Sequence, residues 1–222
     1  YENKKPNDSE LEIMKNLVHQ GMKEGAMGIG SSLIYAPAFY SGTEELVEIC
    51  KIAAQYDGMY ISHMRSEGNR LLESVDELLT IANDAGIRAE IYHLKQSGKK
   101  NWNKLDRVIQ KIDSARAKGL KITADMYTYI AGATGLDASM PPWVQEGGLD
   151  KWIERLKNPK IKKRVIKEMK TDTDKWENLM RAANSSDKLM LVGFKNDSLK
   201  YLTGKTLTEA SKIYGKSPEE TA

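Results

Sequence analysis

Two segments of this sequence join an apolar run to a histidine: Ile61-Ser62-His63-Met64-Arg65 and Ile91-Tyr92-His93-Leu94-Lys95. Their histidines stand 30 residues apart, the length of one strand–helix unit. If the two runs are neighbouring parallel strands, both imidazoles emerge at the same C-terminal end of a sheet, where barrel enzymes build their active sites. Parallel strands lie about 4.8 Å apart, so the rings could converge on one zinc ion through neutral nitrogens at roughly 2.0–2.1 Å. Zinc in proteins takes three or four protein ligands, and this spacing supplies two. The other reading of the same residues is a pair of packed, hydrogen-bonded core histidines.

The elements that must position these side chains alternate between strand-like and helix-like patterns over the first two-thirds of the chain, with a period of about 30 residues, as in βα repeats on a parallel sheet. Ser9-Glu10-Leu11-Glu12 reads as a capping box opening a helix through Leu11, Met14, Val18 and Met22 to Gly25, and a strand follows over Ala26 to Ile34. Thr43 with Glu44 and Glu45 reads as an N-cap and acidic first turn for a helix through Leu46, Ile49 and Ala53, stopped by Asp57-Gly58. After the His63 strand, Leu72, Val75, Leu79 and Ala82 mark one face of a helix from Asn69 to Asp84, stopped at Ala85-Gly86. After the His93 strand, Trp102, Leu105, Ile109 and Ile112 mark a fourth helix, closed at Lys118-Gly119. Leu120 to Tyr129 then reads as a fourth strand, with Asp125 at the position equivalent to the histidines.

Beyond Ile130 the pattern changes. Ala131-Gly132-Ala133-Thr134-Gly135 and Pro141-Pro142-Trp143 lead into a lysine-rich helical stretch from Leu149 to Lys170, a strand around Lys188 to Phe194 and a short helix from Thr206 to Tyr214. The expected fold class is α/β: a partial (β/α)8 TIM barrel of about four βα units with an inserted α-rich subdomain. Residues 1–130 form the barrel portion, and residues 131–222 an insertion or lid that returns toward the barrel. Trp143 either closes over a substrate or pins this insert.

Charge and composition narrow the function classes. The chain has 222 residues, 40% of them hydrophobic, with 34 basic and 31 acidic side chains and a net charge of +3, which gives no focused basic face for nucleic acid. The run Lys157, Lys160, Lys162, Lys163, Arg164 and Lys167 reads as a solvated helix face. No segment approaches a membrane span, and the first six residues lack an apolar signal-peptide region. The cytoplasm is therefore the expected compartment, with a removed targeting segment left open. One cysteine, Cys50, excludes an internal disulfide and a thiolate-rich zinc site, and reads as a buried, inert thiol. His19 reads as a surface or boundary histidine without a partner, and Met27, Met59 and Met64 as packing residues. Gly204-Lys205-Thr206 is no phosphate loop, because Leu199 stands where the motif needs glycine.

Read in order, Gly25-Ala26-Met27-Gly28-Ile29-Gly30, Leu33-Ile34-Tyr35-Ala36-Pro37, Ser62-His63-Met64-Arg65-Ser66-Glu67-Gly68, Tyr92-His93-Leu94-Lys95, Asn101-Trp102, Thr123-Ala124-Asp125-Met126-Tyr127-Thr128-Tyr129 and Pro141-Pro142-Trp143 resemble the N-acyl-D-amino-acid deacylases of the amidohydrolase superfamily. The resemblance covers nearly the whole chain. It implies a zinc-dependent (β/α)8 barrel that hydrolyses the amide of N-acyl-D-amino acids, with His63 and His93 as metal ligands. It also implies Lys95 and Tyr127 as residues facing the substrate carboxylate or the polarised carbonyl. Asp125 would hold an imidazole tautomer or anchor a strand-end turn, and Arg65 and Glu67 would orient the loop beside the first ligand.

The same resemblance implies an early His-x-His pair and a cysteine or carboxylate ligand upstream of Tyr1, and a catalytic aspartate beyond Ala222. The chain is thus expected to be a central piece of a deacylase, binding zinc weakly if at all and inactive alone. Open sheet edges would favour self-association. Two alternatives stay open. One is another metal-dependent amidase, of dihydroorotase or hydantoinase type, although no lysine at a strand end before His63 offers the carboxylated bridge of those enzymes. The other is a noncatalytic scaffold whose histidines merely pack.

Overall fold

A computed structural model describes residues 2–222. Four strands, β1 (Gly28–Ser32), β2 (Met59–His63), β3 (Arg88–Ile91) and β4 (Ile122–Ala124), form one all-parallel sheet in sequential order. Helix α1 (Asp8–Lys23) precedes β1, and α2 (Thr43–Ala54), α3 (Leu71–Ala85) and α4 (Leu105–Ala117) each carry the chain from one strand to the next. Consecutive helices pack on one another, α1 on α2, α2 on α3 and α3 on α4. Right-handed crossovers between adjacent parallel strands stack their helices on one side of a sheet in this way.

Strand alternation assigns the two faces. Tyr60, Ala89 and Ile91 are buried in the core with Leu71, Val75, Leu78, Ile81 and Val108. The other face carries the register row Gly30, Ile61, Glu90 and Thr123, all partly or fully exposed, with Thr123 Oγ1 donating to Glu90 Oε2 at 2.8 Å. At the start of β1 the two strands come together so closely that a Cβ on Gly28, whose φ is 155°, would lie 1.9 Å from the carbonyl oxygen of Met59.

Several local readings are corrected. The capping box of α1 is Asn7 with Glu10, not Ser9 with Glu12. The N-cap of α2 is Gly42, because the Thr43 hydroxyl donates to Glu77 instead. Lys99–Lys104 forms a 3-10 turn, whose tighter winding shifts the helical face that follows. Val108, Ile112 and Ala115 therefore face the core, while Trp102, Leu105 and Ile109 are exposed. The strands are shorter than the apolar runs, so β3 ends two residues before His93 and β4 ends just before Asp125. His19 has a partner, the Tyr56 hydroxyl 2.7 Å from its Nδ1. Met27 is exposed rather than packed, in contrast to Met64.

The chain divides after Ala131 into two compact units. In the second, α5 (Leu149–Lys157), α6 (Pro159–Lys170), α7 (Leu179–Ala182), α8 (Leu207–Tyr214) and α9 (Pro218–Thr221) accompany a small core of Met140, Val144, Val165, Met169, Met180 and Leu207. The lysine-rich stretch is two helices, because Asn158 caps α6 through its side chain and Pro159 occupies the first turn. The strand expected around Lys188 to Phe194 reduces to one isolated antiparallel bridge, Met190 to Thr206. Trp143 donates through Nε1 to Glu168 at 2.7 Å and lies under the Arg164 guanidinium at 4.0 Å, so it fastens α6 within this unit. No helix among the described residues is long and apolar enough to cross a membrane.

The close approach at Gly28 makes a prediction. Gly28→Ala should cost about 3 kcal/mol or more in urea unfolding, since strand backbone must move. Gly86→Ala meets open space at its left-handed φ of 64° and should cost about 1–2 kcal/mol.

Candidate metal centre

Pairing of β2 with β3 brings the two histidines together. His63 is the last residue of β2 and, with period two, points away from the helix layer that buries Ser62. His93 lies just past β3, where the backbone turns into the left-handed region at φ 40°. Asp125 stabilises that turn: its Oδ1 accepts from the His93 backbone N–H, and its own N–H bonds to the Ile91 carbonyl at 3.2 Å. The Asp125 carboxylate thus meets the His93 main chain rather than an imidazole.

His63 Nδ1 and His93 Nε2 face each other at 2.9 Å, with ring centroids 4.5 Å apart. Behind the rings lies Glu67, only 2% exposed. Its Oε1 is 2.9 Å from His93 Nδ1 and accepts from Lys95 Nζ at 2.6 Å, while its Oε2 is 3.9 Å from His63 Nε2. Lys95 Nζ also lies 2.8 Å from His93 Nδ1 and donates to the His93 carbonyl at 3.0 Å. Buried His63 Nε2 has no hydrogen-bond partner among the described residues.

The loop after β2 is built to hold Glu67 in place. The Ser66 N–H donates to Ser74 Oγ at 2.9 Å, the Glu67 carbonyl accepts from the Ser97 N–H at 2.7 Å, and Lys104 Nζ donates to the Gly68 and Asn69 carbonyls. Arg65 extends to α3, donating to Glu77 at 2.9 Å, and its guanidinium also binds the Phe39 and Ser41 carbonyls, each at 2.8 Å. It thereby ties the loop after β1 to the loop after β2.

Aromatic rings surround the pair. Tyr35 lies 5.2 Å from His63, Tyr92 4.7 Å and Tyr127 6.3 Å from His93, and Lys95 Nζ sits 5.5 Å from the Tyr127 ring. Burial first, then His93 and the Lys95 ammonium, press the His63 pKa down to about 3. Burial and Lys95 also lower that of His93. Burial, with the Glu67 charge, raises that of Tyr127. Both imidazoles are therefore neutral near pH 7, as metal binding requires.

The structure thus brings His63, His93, Lys95 and Tyr127 into one cluster. His63, Glu67 and His93 each offer a ligand atom, all within 4.8 Å of one another, and the two facing nitrogens of neutral imidazoles suit such a site. Glu67 is the residue whose depth in the cluster the sequence did not reveal. Its signal was a carboxylate four residues after His63, between the loop-forming Ser66 and Gly68. Cys50, fully buried in α2 with its pKa pushed up to about 12 by desolvation, takes no part.

No family model matches the chain. Among curated proteins, a D-aminoacylase of Alcaligenes xylosoxydans is 32% identical over 129 residues. An N-acyl-D-glutamate deacylase of the same organism is 30% identical over 129 residues. Each match covers 58% of this chain and 26% of the relative, so the chain spans about a quarter of the length of these relatives. Among solved structures, the N-acyl-D-glutamate deacylase of Bordetella bronchiseptica, complexed with zinc and a phosphonate mimic of the tetrahedral intermediate, gives a TM-score of 0.73 at 20% identity. It covers 97% of this chain and 36% of that one. A D-aminoacylase studied for its binuclear metal centre gives 0.69 at 23% identity, with the same coverage. The structural likenesses concern the fold, and the curated matches bear out the resemblance over 129 residues rather than over nearly the whole chain.

Two outcomes follow from the geometry. Arg65→Ala leaves the largely buried Glu77 carboxylate without its cation and should cost about 1–3 kcal/mol, with faster amide exchange confined to residues 37–42 and the first turn of α3. Native Cys50 should resist a thiol reagent at pH 8 and react only on unfolding; rapid native labelling would contradict its burial.

Proposed function

We propose that this chain, a relative of the D-aminoacylases and N-acyl-D-amino-acid deacylases, is the central part of a zinc-dependent (β/α)8 hydrolase acting on the amide of N-acyl-D-amino acids. The observation that carries this reading is the His63–His93 pair, with its facing nitrogens 2.9 Å apart at the C-terminal ends of β2 and β3. Sequential parallel strands with all four helices stacked on one another favour a barrel over a doubly wound sheet, whose helices cover both faces. In this reading residues 1–130 belong to the barrel and residues 131–222 to an insertion.

His63 and His93 would hold the metal. Bound there, zinc would supply a water of lowered pKa and polarise the scissile carbonyl. Lys95 offers a cation and Tyr127 a protonated hydroxyl beside the pair, a donor set suited to a substrate carboxylate or to the oxygen of an amide. Tyr35 and Tyr92 flank the imidazoles and would limit access of water. Asp125 would act through the turn that sets the position of His93, and Arg65 through the loop that carries Tyr35.

The remaining metal ligands and the proton-transferring carboxylate implied by the family resemblance would come from other parts of a longer protein, so the chain alone is proposed to be inactive. The outer edges of β1 and β4 carry no further strand among the described residues, and open edges of this kind favour self-association.

Calorimetric titration with zinc tests the reading. Binding of about one equivalent that disappears in a His63→Ala, His93→Ala double variant is expected. Unchanged binding in that variant would contradict a metal centre between these strands. Sedimentation across a wide concentration range should show association; a uniformly monomeric chain would count against open edges.

A further inference from the structure

We propose that α6 presents a lysine row, Lys160, Lys163 and Lys167, that docks the second unit on the phosphate headgroups of an anionic lipid bilayer without inserting a helix into it. This surface is independent of the metal-centre reading.

The net charge of +3 conceals an uneven distribution. Helices α5 and α6, Leu149–Lys170, carry nine basic and three acidic side chains, a net +6, which leaves −3 for the rest of the chain. Within α6 the helix sorts these charges by face. Ile161, Val165 and Met169 pack in the small core, while Lys160, Lys163 and Lys167 are exposed. At 3.6 residues per turn the three lysines fall within an arc of roughly 60° and span roughly 10 Å along the axis. The cations bordering the row are already engaged: Arg164 donates to Glu168 Oε1 at 2.7 Å and lies over the Trp143 ring at 4.0 Å, and Lys170 is 3.5 Å from Glu219. No carboxylate among the described residues pairs with Lys160, Lys163 or Lys167.

Helix stability does not account for such a row. The first turn of α6 holds no acidic residue, so Lys160 opposes the helix dipole. Lys160 repels Lys163 three positions on, and Lys163 repels Lys167 four positions on. An arrangement that works against its own element, with no compensating contact in the fold, is the mark of a functional surface.

The chemistry of the row selects its partner. A lysine ammonium is a hydrated point charge on a flexible stem, suited to a diffuse layer of phosphates, and clusters of basic residues on amphipathic helices bind anionic lipids in this way. Nucleic acid asks for more: guanidinium or amide groups for base edges, or aromatic platforms for unstacked bases. The one arginine of α6 and the ring beside it are occupied by each other. Moreover, α6 packs against α5, α7 and α9. A helix flanked in this manner is too broad for a major groove about 12 Å wide, whereas a flat headgroup layer meets its exposed ridge along the whole row.

Flotation of the full chain with vesicles of equimolar phosphatidylglycerol and phosphatidylcholine, at low ionic strength, is the test. Binding is expected there and not to pure phosphatidylcholine. It should be lost in about 1 M salt, where the screening length shrinks to about 3 Å. A Lys160→Gln, Lys163→Gln, Lys167→Gln variant should bind about 100-fold more weakly, roughly fivefold per lysine removed. A Lys188→Gln, Lys195→Gln, Lys216→Gln variant changes the net charge equally, at exposed lysines of the same unit, and should keep most of the wild-type affinity. Absence of binding to the anionic vesicles, or binding indifferent to salt or to phosphatidylglycerol, would overturn the inference without any variant having to fold. So would equal losses in the two variants, or tighter binding of the wild type to duplex DNA at matched phosphate concentration, which would assign the row to nucleic acid.

Discussion

Parallel pairing of β2 with β3, in a register that sets Ser62 opposite Ile91, is the constraint from which the candidate site follows. The ladder continues past the formal strand ends, with the Tyr92 N–H bonded to the Ser62 carbonyl at 3.0 Å and the Leu33 N–H to the His63 carbonyl at 2.9 Å. Since strand side chains alternate, a one-residue slip of β2 would turn His63 into the helix layer and separate the rings. That register is secured by burial: Tyr60 and Ser62 on one strand and Ala89 and Ile91 on the next are each 1% exposed or less.

The polar cluster above the sheet is costly to bury unless its members satisfy one another. Glu67 is nearly inaccessible, yet it meets an ammonium, one imidazole at hydrogen-bond distance and a second imidazole just beyond it. Around it, backbone-directed bonds from Ser97, Lys104 and Arg65 knit the loops after β1, β2 and β3 into one support. Such a support keeps a site organised in the absence of ligand. The one polar atom of the histidine pair left without a hydrogen bond is His63 Nε2, and it points toward the same carboxylate.

How much of this was legible in the sequence depends on the range of the interaction. Helices α2 and α3 and strand β2 could be placed because their apolar spacing and stop signals, Asp57-Gly58 and Ala85-Gly86, act locally. The histidine pair was legible because a 30-residue period converts sequence spacing into spatial adjacency. The face of α4 was not, since a 3-10 turn over Lys99–Lys104 changes the phase. Nor was Asn7 as the cap of α1, where Ser9 offered an equally good motif. Glu67 was seen only as a neighbour of His63. Its depth depends on Ser97 and Lys104, more than 25 residues further along, and no local pattern reports such contacts. Asp125 was placed correctly at the strand end, but its bond to the main chain of His93 depends on a left-handed turn that residue type alone does not announce.

Anomalous scattering at the zinc edge, from crystals of the chain grown with zinc, tests the central claim most directly. A single peak within bonding distance of His63 Nδ1 and His93 Nε2, with Glu67 behind the rings, is the expected result. A peak bound elsewhere, or the facing nitrogens hydrogen-bonded to each other with no peak between them at saturating zinc, would contradict it.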